Sequence, residues 1–210
     1  MNQTVAGQNN FGVILLGAGA SARMGEPKLL LPWRNTTVIG HLIAQWQKLG
    51  AQQITVVLRA NDLALAAELD RLSFSRTNRI ENPQPERGMF SSIVCAANWN
   101  GWQPEISRWA IVLGDQPHLH LEMLRRVLEF SAQYPNAICQ PMFGGHARHP
   151  VILTSPALVE LKNTNAATLK EFLKLTALPR VQCAVIDSGV SLDMDTPEDY
   201  KRLTISQKAA

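Results

Sequence analysis

The chain has 210 residues, 46% of them hydrophobic and 18% charged, with a formal net charge of +3 at pH 7. That length suits one large α/β unit and is short for two, and the hydrophobic share supplies a sizeable core and excludes overall disorder. The mild charge, with no Lys/Arg block and no basic stripe interleaved with aromatics, excludes nucleic acid as an expected partner, and no apolar span is long enough to cross a bilayer.

Residues 1–10 hold no Lys or Arg and no apolar stretch, so they read as a flexible tail rather than a secretory signal, leaving 11–205 as one expected domain. Phe11 to Leu16 is a continuous apolar run, expected as a short buried strand, and a broken Gly-rich loop follows. Val38, Leu42, Ile43, Trp46 and Leu49 keep helical spacing and end at Gly50; a strand is expected over 53–58. A helix over 63–72 follows an Asn61-Asp62 cap, and 82–92 reads as a polar loop entering a helix, with Gly88 as the break. Beyond it come a strand over 109–113, a helix over 121–130, a strand over 137–140, a helix over 169–175 after a Thr164/Asn165 cap, and a strand over 181–186. Alternation of this kind predicts a three-layer, Rossmann-like α/β fold with a mostly parallel central sheet and right-handed crossovers. Ligands of such sheets collect beyond the carboxyl ends of the strands. Cys95, Cys139 and Cys183 are far apart in apolar surroundings and odd in number. They read as free thiols of a reducing compartment, and a cytoplasmic location is the expectation.

The loop after the first strand, Leu16-Gly17-Ala18-Gly19-Ala20-Ser21-Ala22-Arg23-Met24-Gly25-Glu26-Pro27-Lys28, carries the clearest chemistry. Glycines let backbone N–H groups turn toward an anion, and Arg23 and Lys28 add full positive charges, so the loop predicts a phosphate cradle for a nucleotide. A Walker A loop does not fit, because five residues separate Gly19 from Gly25 and the lysine comes later. The relaxed dinucleotide pattern is met, yet Gly25 and Pro27 interrupt the helix it requires, and the next strand is followed by Arg59 instead of an acidic residue. A Gly-rich connection without a ligand is the alternative that the two cations weigh against.

Asp115 stands just past the expected strand at 109–113, with Gly114 allowing close approach and Pro117 ending the extended run; its alternative role is to cap the helix from 121. Asp195, in Asp195-Thr196-Pro197-Glu198, is also a good helix cap with proline at the first helical position. Two aspartates from separate loops suffice for a hard dication such as Mg²⁺, which takes few carboxylates beside substrate phosphates. Ser91 and Ser92 offer hydroxyls to a base or ribose, or cap the helix they begin. The pairs His118/His120 and His146/His149 do not form a zinc site, since Gly144, Gly145 and Pro150 preclude helical i, i+3 ligation; His118 and His120 read as a solvated turn.

Taken in register, the loop at 16–32, Asn82-Pro83 with Gly88-Met89-Phe90-Ser91-Ser92, Asp115-Gln116-Pro117, His149-Pro150-Val151 and Asp193-Met194-Asp195-Thr196-Pro197-Glu198-Asp199 resemble the MobA-like nucleotidyltransferases, and among them the molybdenum cofactor cytidylyltransferase branch. Two positions depart from that pattern: Gly17 replaces an alanine, and Arg148 stands where glycine usually precedes His-Pro. The resemblance implies transfer of CMP from CTP to the phosphate of molybdopterin, with release of pyrophosphate. It implies catalytic roles for Lys28, Arg23 and Asp115, and nucleotide contacts from Leu16, Gly17, Ala18, Gly19, Ala20, Arg23, Lys28, Ser91 and Ser92. It also implies Mg²⁺ (or Mn²⁺) on Asp115 and Asp195, acceptor contacts from His149 and Arg148, and a transient complex with a molybdoenzyme. Guanylyl transfer, a sugar-phosphate nucleotidyltransferase, and a cofactor carrier or chaperone without chemistry are the alternatives; retention of Lys28, Asp115 and Asp195 together argues against the last.

Overall fold

The structure, a computed structural model, describes residues 10–208; of the tail expected over 1–10, all but Asn10 lies outside the described residues. The main sheet is built from β1 (Phe11–Leu16), β4 (Gln53–Arg59), β5 (Arg79–Asn82), β6 (Arg108–Leu113), β7 (Ile138–Phe143), β9 (Val151–Thr154) and β10 (Arg180–Ala184). Their order across the sheet is β5-β4-β1-β6-β9-β7-β10, with the short β8 (His146–Ala147) paired to β7. β2 (Pro32–Trp33) and β3 (Thr36–Thr37) make a separate antiparallel ribbon. The pairs β1/β4, β1/β6, β4/β5 and β7/β10 are parallel, whereas β9 runs antiparallel to both β6 and β7. The expected three-layer, Rossmann-like α/β fold with a mostly parallel sheet is therefore present.

Period-two alternation sorts the strand side chains into two cores. Phe11, Val13 and Leu15 of β1, with Ala110 and Val112 of β6, pack on one face beneath α1 (Val38–Lys48), α2 (Leu63–Arg71), α4 (Leu121–Ala132) and α7 (Pro197–Lys208). Ile14 and Leu16 of β1, with Trp109 and Ile111 of β6, face the opposite layer of α3 (Met89–Asn98), α5 (Ser155–Lys162) and α6 (Leu169–Leu175). The chain moves from β1 to β4 and β5 on one side, then returns to lay β6 on the other side of β1. That reversal opens a crevice at the carboxyl ends of β1 and β6, the place where open α/β sheets take their ligands.

Local chemistry sets the helix starts. Asp62 Oδ1 accepts the Leu65 N–H at 3.0 Å, as the sequence predicts for α2. The cap of α6 is Thr168, not Thr164 or Asn165: Thr168 Oγ1 accepts the Glu171 N–H at 3.1 Å, and the Glu171 carboxylate reaches back to the Ala167 N–H at 2.8 Å. This reciprocal Thr-x-x-Glu arrangement satisfies two orphan donors and outcompetes the isolated polar pair upstream. Four expected strands shift at their ends: β4 and β6 each gain one residue, β7 starts at Ile138 and runs on through Phe143, and β10 starts at Arg180 and stops at Ala184. Among the described residues, no helix is long and apolar enough to cross a membrane.

Candidate active site

The Gly-rich loop leaves β1 in the crevice and is pinned before it reaches Lys28. The Gly17 N–H donates to the Val57 carbonyl at 2.8 Å, extending the β1/β4 ladder by one rung. Ser21, at a left-handed φ of 49°, accepts the Met24 N–H through its carbonyl at 3.0 Å and the Lys28 N–H through its hydroxyl at 3.1 Å. Met24 is buried against the core, so Arg23 and Gly25 on either side of it face outward.

Leu29 then acts as a wedge between two strand ends. A Cβ on Gly114 would stand 2.8 Å from Leu29 Cδ2 and 2.9 Å from the Leu16 carbonyl, so only glycine fits beside it. A Cβ on Gly17 would lie 3.1 Å from both Leu29 Cδ1 and the Val57 carbonyl, tight enough that an alanine here requires both Leu29 and the β4 backbone to give way slightly. The two glycines at the ends of β1 and β6 thus seat Leu29, and the neighbouring Lys28 is delivered into the crevice.

There the Lys28 ammonium lies 2.5 Å from Asp195 Oδ1 and 3.7 Å from Asp115 Oδ2, with its side chain 15% exposed. Arg23 Nη2 is 2.7 Å from Asp195 Oδ2, but 73% of its side chain is exposed. Both cations of the expected cradle are therefore held by Asp195. Asp115 Oδ1 is sealed from solvent and has no hydrogen-bond partner among the described residues. Burial pushes the Asp115 carboxyl above the usual carboxylate range; the Lys28 charge opposes this, and the Asp193 and Asp195 charges add to it.

Neither aspartate caps a helix. α4 has His120 at its N-cap position, five residues beyond Asp115. For α7, Thr196 Oγ1 accepts the Asp199 N–H at 3.2 Å while Asp199 Oδ2 accepts the Thr196 N–H at 3.0 Å. Thr196 and Asp199 complete the cap and Pro197 takes the first helical position, which frees the Asp195 carboxylate to point at Lys28 and Arg23.

The loop bearing Asp195 is tied to the loop bearing Asp115 by a short zipper. The Met194 N–H donates to the Asp115 carbonyl at 3.0 Å. Gln116, itself buried, donates from Nε2 to Asp193 Oδ1 at 3.0 Å and to the Leu192 carbonyl at 3.4 Å. His118 Nε2 lies 2.9 Å from the Gly189 carbonyl, and His120 Nδ1 lies 2.8 Å from Asp187 Oδ2. The expectation of a solvated turn fails at His118: it is 6% exposed, and burial lowers its pKa. The sequence shows two histidines set among Pro117, Leu119 and Leu121, but not the distant carbonyl that faces one of them.

Beside this cluster lies a cleft of about 460 Å³. Leu16, Ala18, Gly19, Ala20, Ser92 and Asp115 line it, as does Arg59 at the end of β4. Of the other residues expected to contact the nucleotide, Gly17, Arg23, Lys28 and Ser91 do not line it. Ser91 Oγ and Ser92 Oγ both accept from Asn82 Nδ2, at 2.7 and 3.0 Å, so their first duty is to fix the turn into α3. Neither caps that helix by its side chain. Sequence reasoning misses Arg59 as a site residue; the available signal is a cation directly after a predicted strand, at the sheet end where ligands collect.

His149 and Arg148 fall in a second cleft, of about 720 Å³, beside β7 and α6. Met89 lines both clefts, so the two are neighbours. His149 Nδ1 and Arg148 Nε are sealed from solvent without hydrogen-bond partners among the described residues. Burial lowers the His149 pKa, so the ring is neutral near pH 7.

The molecule is similar along most of its length to several known proteins. It is 25% identical to the molybdenum cofactor cytidylyltransferase of Escherichia coli (strain K12), over 89% of this chain and 92% of that one. It is also 26% identical to the nicotine blue oxidoreductase of Paenarthrobacter nicotinovorans, over 90% of this chain and 94% of that one. The crystal structure of Rv0371c from Mycobacterium tuberculosis H37Rv superposes with a TM-score of 0.72 at 28% identity, covering 93% of this chain and 97% of that chain. A manganese complex of the same mycobacterial protein gives a TM-score of 0.68 at 26% identity, over 94% and 99% of the two chains. The sequence profile of the MobA-like NTP transferase domain spans residues 13–181, from β1 through the Gly-rich loop and Asp115 to the start of β10; the chain belongs to this family and is a nucleotidyltransferase.

Proposed function

We propose that the chain transfers CMP from CTP to the phosphate of a molybdopterin-type acceptor and releases pyrophosphate. The observation that carries this reading is the meeting of Lys28, Asp115 and Asp195 at the sheet's reversal point, where Asp115 lines a cleft bordered by the Gly-rich loop, and that cleft adjoins, through Met89, a second cleft that holds Arg148 and His149. The cytidylyltransferase and the nicotine blue oxidoreductase bear different names at nearly equal identity. The cytidylyltransferase is favoured because a phosphate acceptor suits a basic cleft.

The residues present fit a divalent cation. Asp115 Oδ1 is a sealed carboxylate oxygen without a donor, and Asp195 presents a second carboxylate within reach of the same ammonium. We assign Asp115 and Asp195 to Mg²⁺, or Mn²⁺, which when bound supplies neutralisation of phosphate charge. In the transfer, an acceptor phosphate oxygen bonds to the α-phosphorus of CTP as the bond from that phosphorus to the bridging oxygen breaks, and the electron pair leaves with pyrophosphate. Both reactants are anions and no side-chain nucleophile is needed, so the protein's work is positioning and charge neutralisation. Lys28 meets the reacting phosphates, and exposed Arg23 swings from Asp195 to the leaving pair. The backbone of residues 17–20 reads the base and fixes the ribose, with Ser91 and Ser92 shaping the cleft from α3; since the Gly17 N–H is spent on Val57, donation falls to residues 18–20. His149 and Arg148 hold the acceptor. Cytoplasmic work, one functional unit over 11–205 and handover to a molybdoenzyme belong to the same reading.

The zipper makes Gln116 a positioning residue. Gln116→Leu is expected to lower kcat by ~10-fold or more, because misplacing a reacting group by an ångström is enough to do so, while KM for CTP changes little. A lowered kcat with unchanged CTP affinity in steady-state and binding measurements is the expected pair.

The reading is tested by supplying purified protein with Mg²⁺, each of the four NTPs, and molybdopterin or sugar phosphates, and following pyrophosphate release. CTP with molybdopterin is expected to exceed GTP in kcat/KM by about 10²-fold, the discrimination a hydrogen-bonding pocket readily supplies. Equal or better use of GTP moves the protein to guanylyl transfer, and turnover only with sugar phosphates replaces the acceptor.

A further inference from the structure

The cleft beside β7 and α6 holds a charge that the reaction alone does not require. Arg148, Lys170, Lys174 and Arg180 line it together with His146 and His149, and no Asp or Glu does. Among the described residues none of these four cations makes an ion pair, although seven other Lys or Arg pairs to carboxylates occur in the molecule. Four positive charges in one acid-free cleft exceed the formal net charge of +3 for the whole chain. The cations are also spread out. Arg148 follows the β7–β8 hairpin, Lys170 and Lys174 lie one helical turn apart on α6, and Arg180 opens β10 opposite Ile138, at the start of β7. Because β9 is antiparallel to both β6 and β7, the parallel pair β7/β10 runs in the same direction as β1 and β6, so this last residue sits at the end of the sheet remote from the carboxyl ends where Asp115 and Lys28 stand.

A single reacting phosphate has to lie against the Lys28–Asp115–Asp195 cluster, so it cannot engage the distant end of this track. Resting on the acceptor assignment above, we infer that the cleft binds a second anionic group of the acceptor, separate from the phosphate that is cytidylylated. The ligand class is therefore a small organic phosphate with a further anion at its other end, and Lys170 and Lys174 are specificity-determining residues. The volume of about 720 Å³ suits a small molecule of that kind, and unpaired cations in a concave wall concentrate such an anion.

The test uses Lys170→Glu/Lys174→Glu, two exposed positions whose change leaves the core intact. Fructose 1,6-bisphosphate and fructose 6-phosphate, as probes with two anions and one, are titrated calorimetrically into the full chain already saturated with CTP and Mg²⁺. The bisphosphate is expected to bind at least tenfold more tightly than the monophosphate to the wild type, and the double variant to lose that difference while binding CTP normally. In turnover, the variant's KM for molybdopterin is expected to rise tenfold or more with kcat within threefold. Equal binding of the two probes to the wild type, or an unchanged variant, overturns the inference. Should the probe result hold while molybdopterin is never cytidylylated, the acceptor assignment falls and the anion cleft stands. A functioning transferase whose molybdopterin KM ignores both substitutions leaves the acceptor assignment standing and removes the second-anion role of the cleft.

Discussion

Asp115→Asn is expected to remove most turnover, by ~10²-fold to 10³-fold in kcat, the scale of losing one pre-organised charge-stabilising group. The substitution is nearly isosteric in a tight place, beside Gly114, where an added Cβ would strike Leu29 and the Leu16 carbonyl. What it removes is the charge that stands 3.7 Å from the Lys28 ammonium and the carboxylate oxygen left without a donor. Stability should move the other way. Burial raises the Asp115 pKa in the folded protein, so the folded state holds this proton to higher pH than the unfolded chain does. The carboxylate therefore detracts from stability at pH values above the ordinary carboxylate range, and that penalty fades as the pH falls through it. In the absence of metal and nucleotide, the Asn variant should be at least as stable as the wild type at pH 7, the difference narrowing toward pH 4. A variant both inactive and strongly destabilised in denaturant titrations would assign Asp115 to the fold instead of the reaction. Asp195→Asn should also slow turnover, less severely.

The second large effect is expected at Lys28. A cation that meets the phosphates equally before and during the reaction would, once removed, raise KM alone; one that meets developing charge lowers kcat. Lys28 is 15% exposed, fixed by the Leu29 wedge and already poised between two carboxylates, so its charge is placed before substrate arrives. Lys28→Ala should lower kcat by ~10²-fold or more, with a smaller change in the KM for CTP. Arg23, 73% exposed and held by one contact to Asp195, should behave differently: Arg23→Ala raises KM more than it lowers kcat. Steady-state kinetics at saturating Mg²⁺ separates the two, and a Lys28→Ala protein with near-normal kcat would contradict the catalytic reading of the loop.

Features whose cause is local are legible in the residues. β1, the α1 run ending at Gly50, the Asp62 cap and the break at Gly88 each follow from a few neighbouring side chains, and the structure contains them. The placement of Asp115 beyond β6 follows from an apolar run ended by Gly-Asp. What the sequence hides depends on distant partners. β5, with Arg79, Ile80, Glu81 and Asn82, is too short and polar to announce a strand; it exists because β4 offers a parallel edge. β9 lies antiparallel between two strands that run the other way, which no period in Val151–Thr154 could reveal. In the site, the pairing of Arg23 and Lys28 with Asp195 joins residues 167 or more positions apart. The zipper from Gln116 and His118 to 189–193 likewise needs the turn that brings 187–195 back across the sheet. The release of Asp195 from helix capping is, by contrast, written locally in Thr196 and Asp199, whose reciprocal spacing outranks the residue before them.

Mass spectrometry of molybdopterin incubated with the protein, CTP and Mg²⁺, read together with the phosphorus released, tests in one reaction whether an intact nucleoside monophosphate is transferred at the Lys28–Asp115–Asp195 cluster. The expected result is an acceptor heavier by a CMP unit, pyrophosphate in equal amount, and loss of both with Asp115→Asn. An acceptor of unchanged mass, release of inorganic phosphate in place of pyrophosphate, or an undiminished product with Asp115→Asn would contradict it.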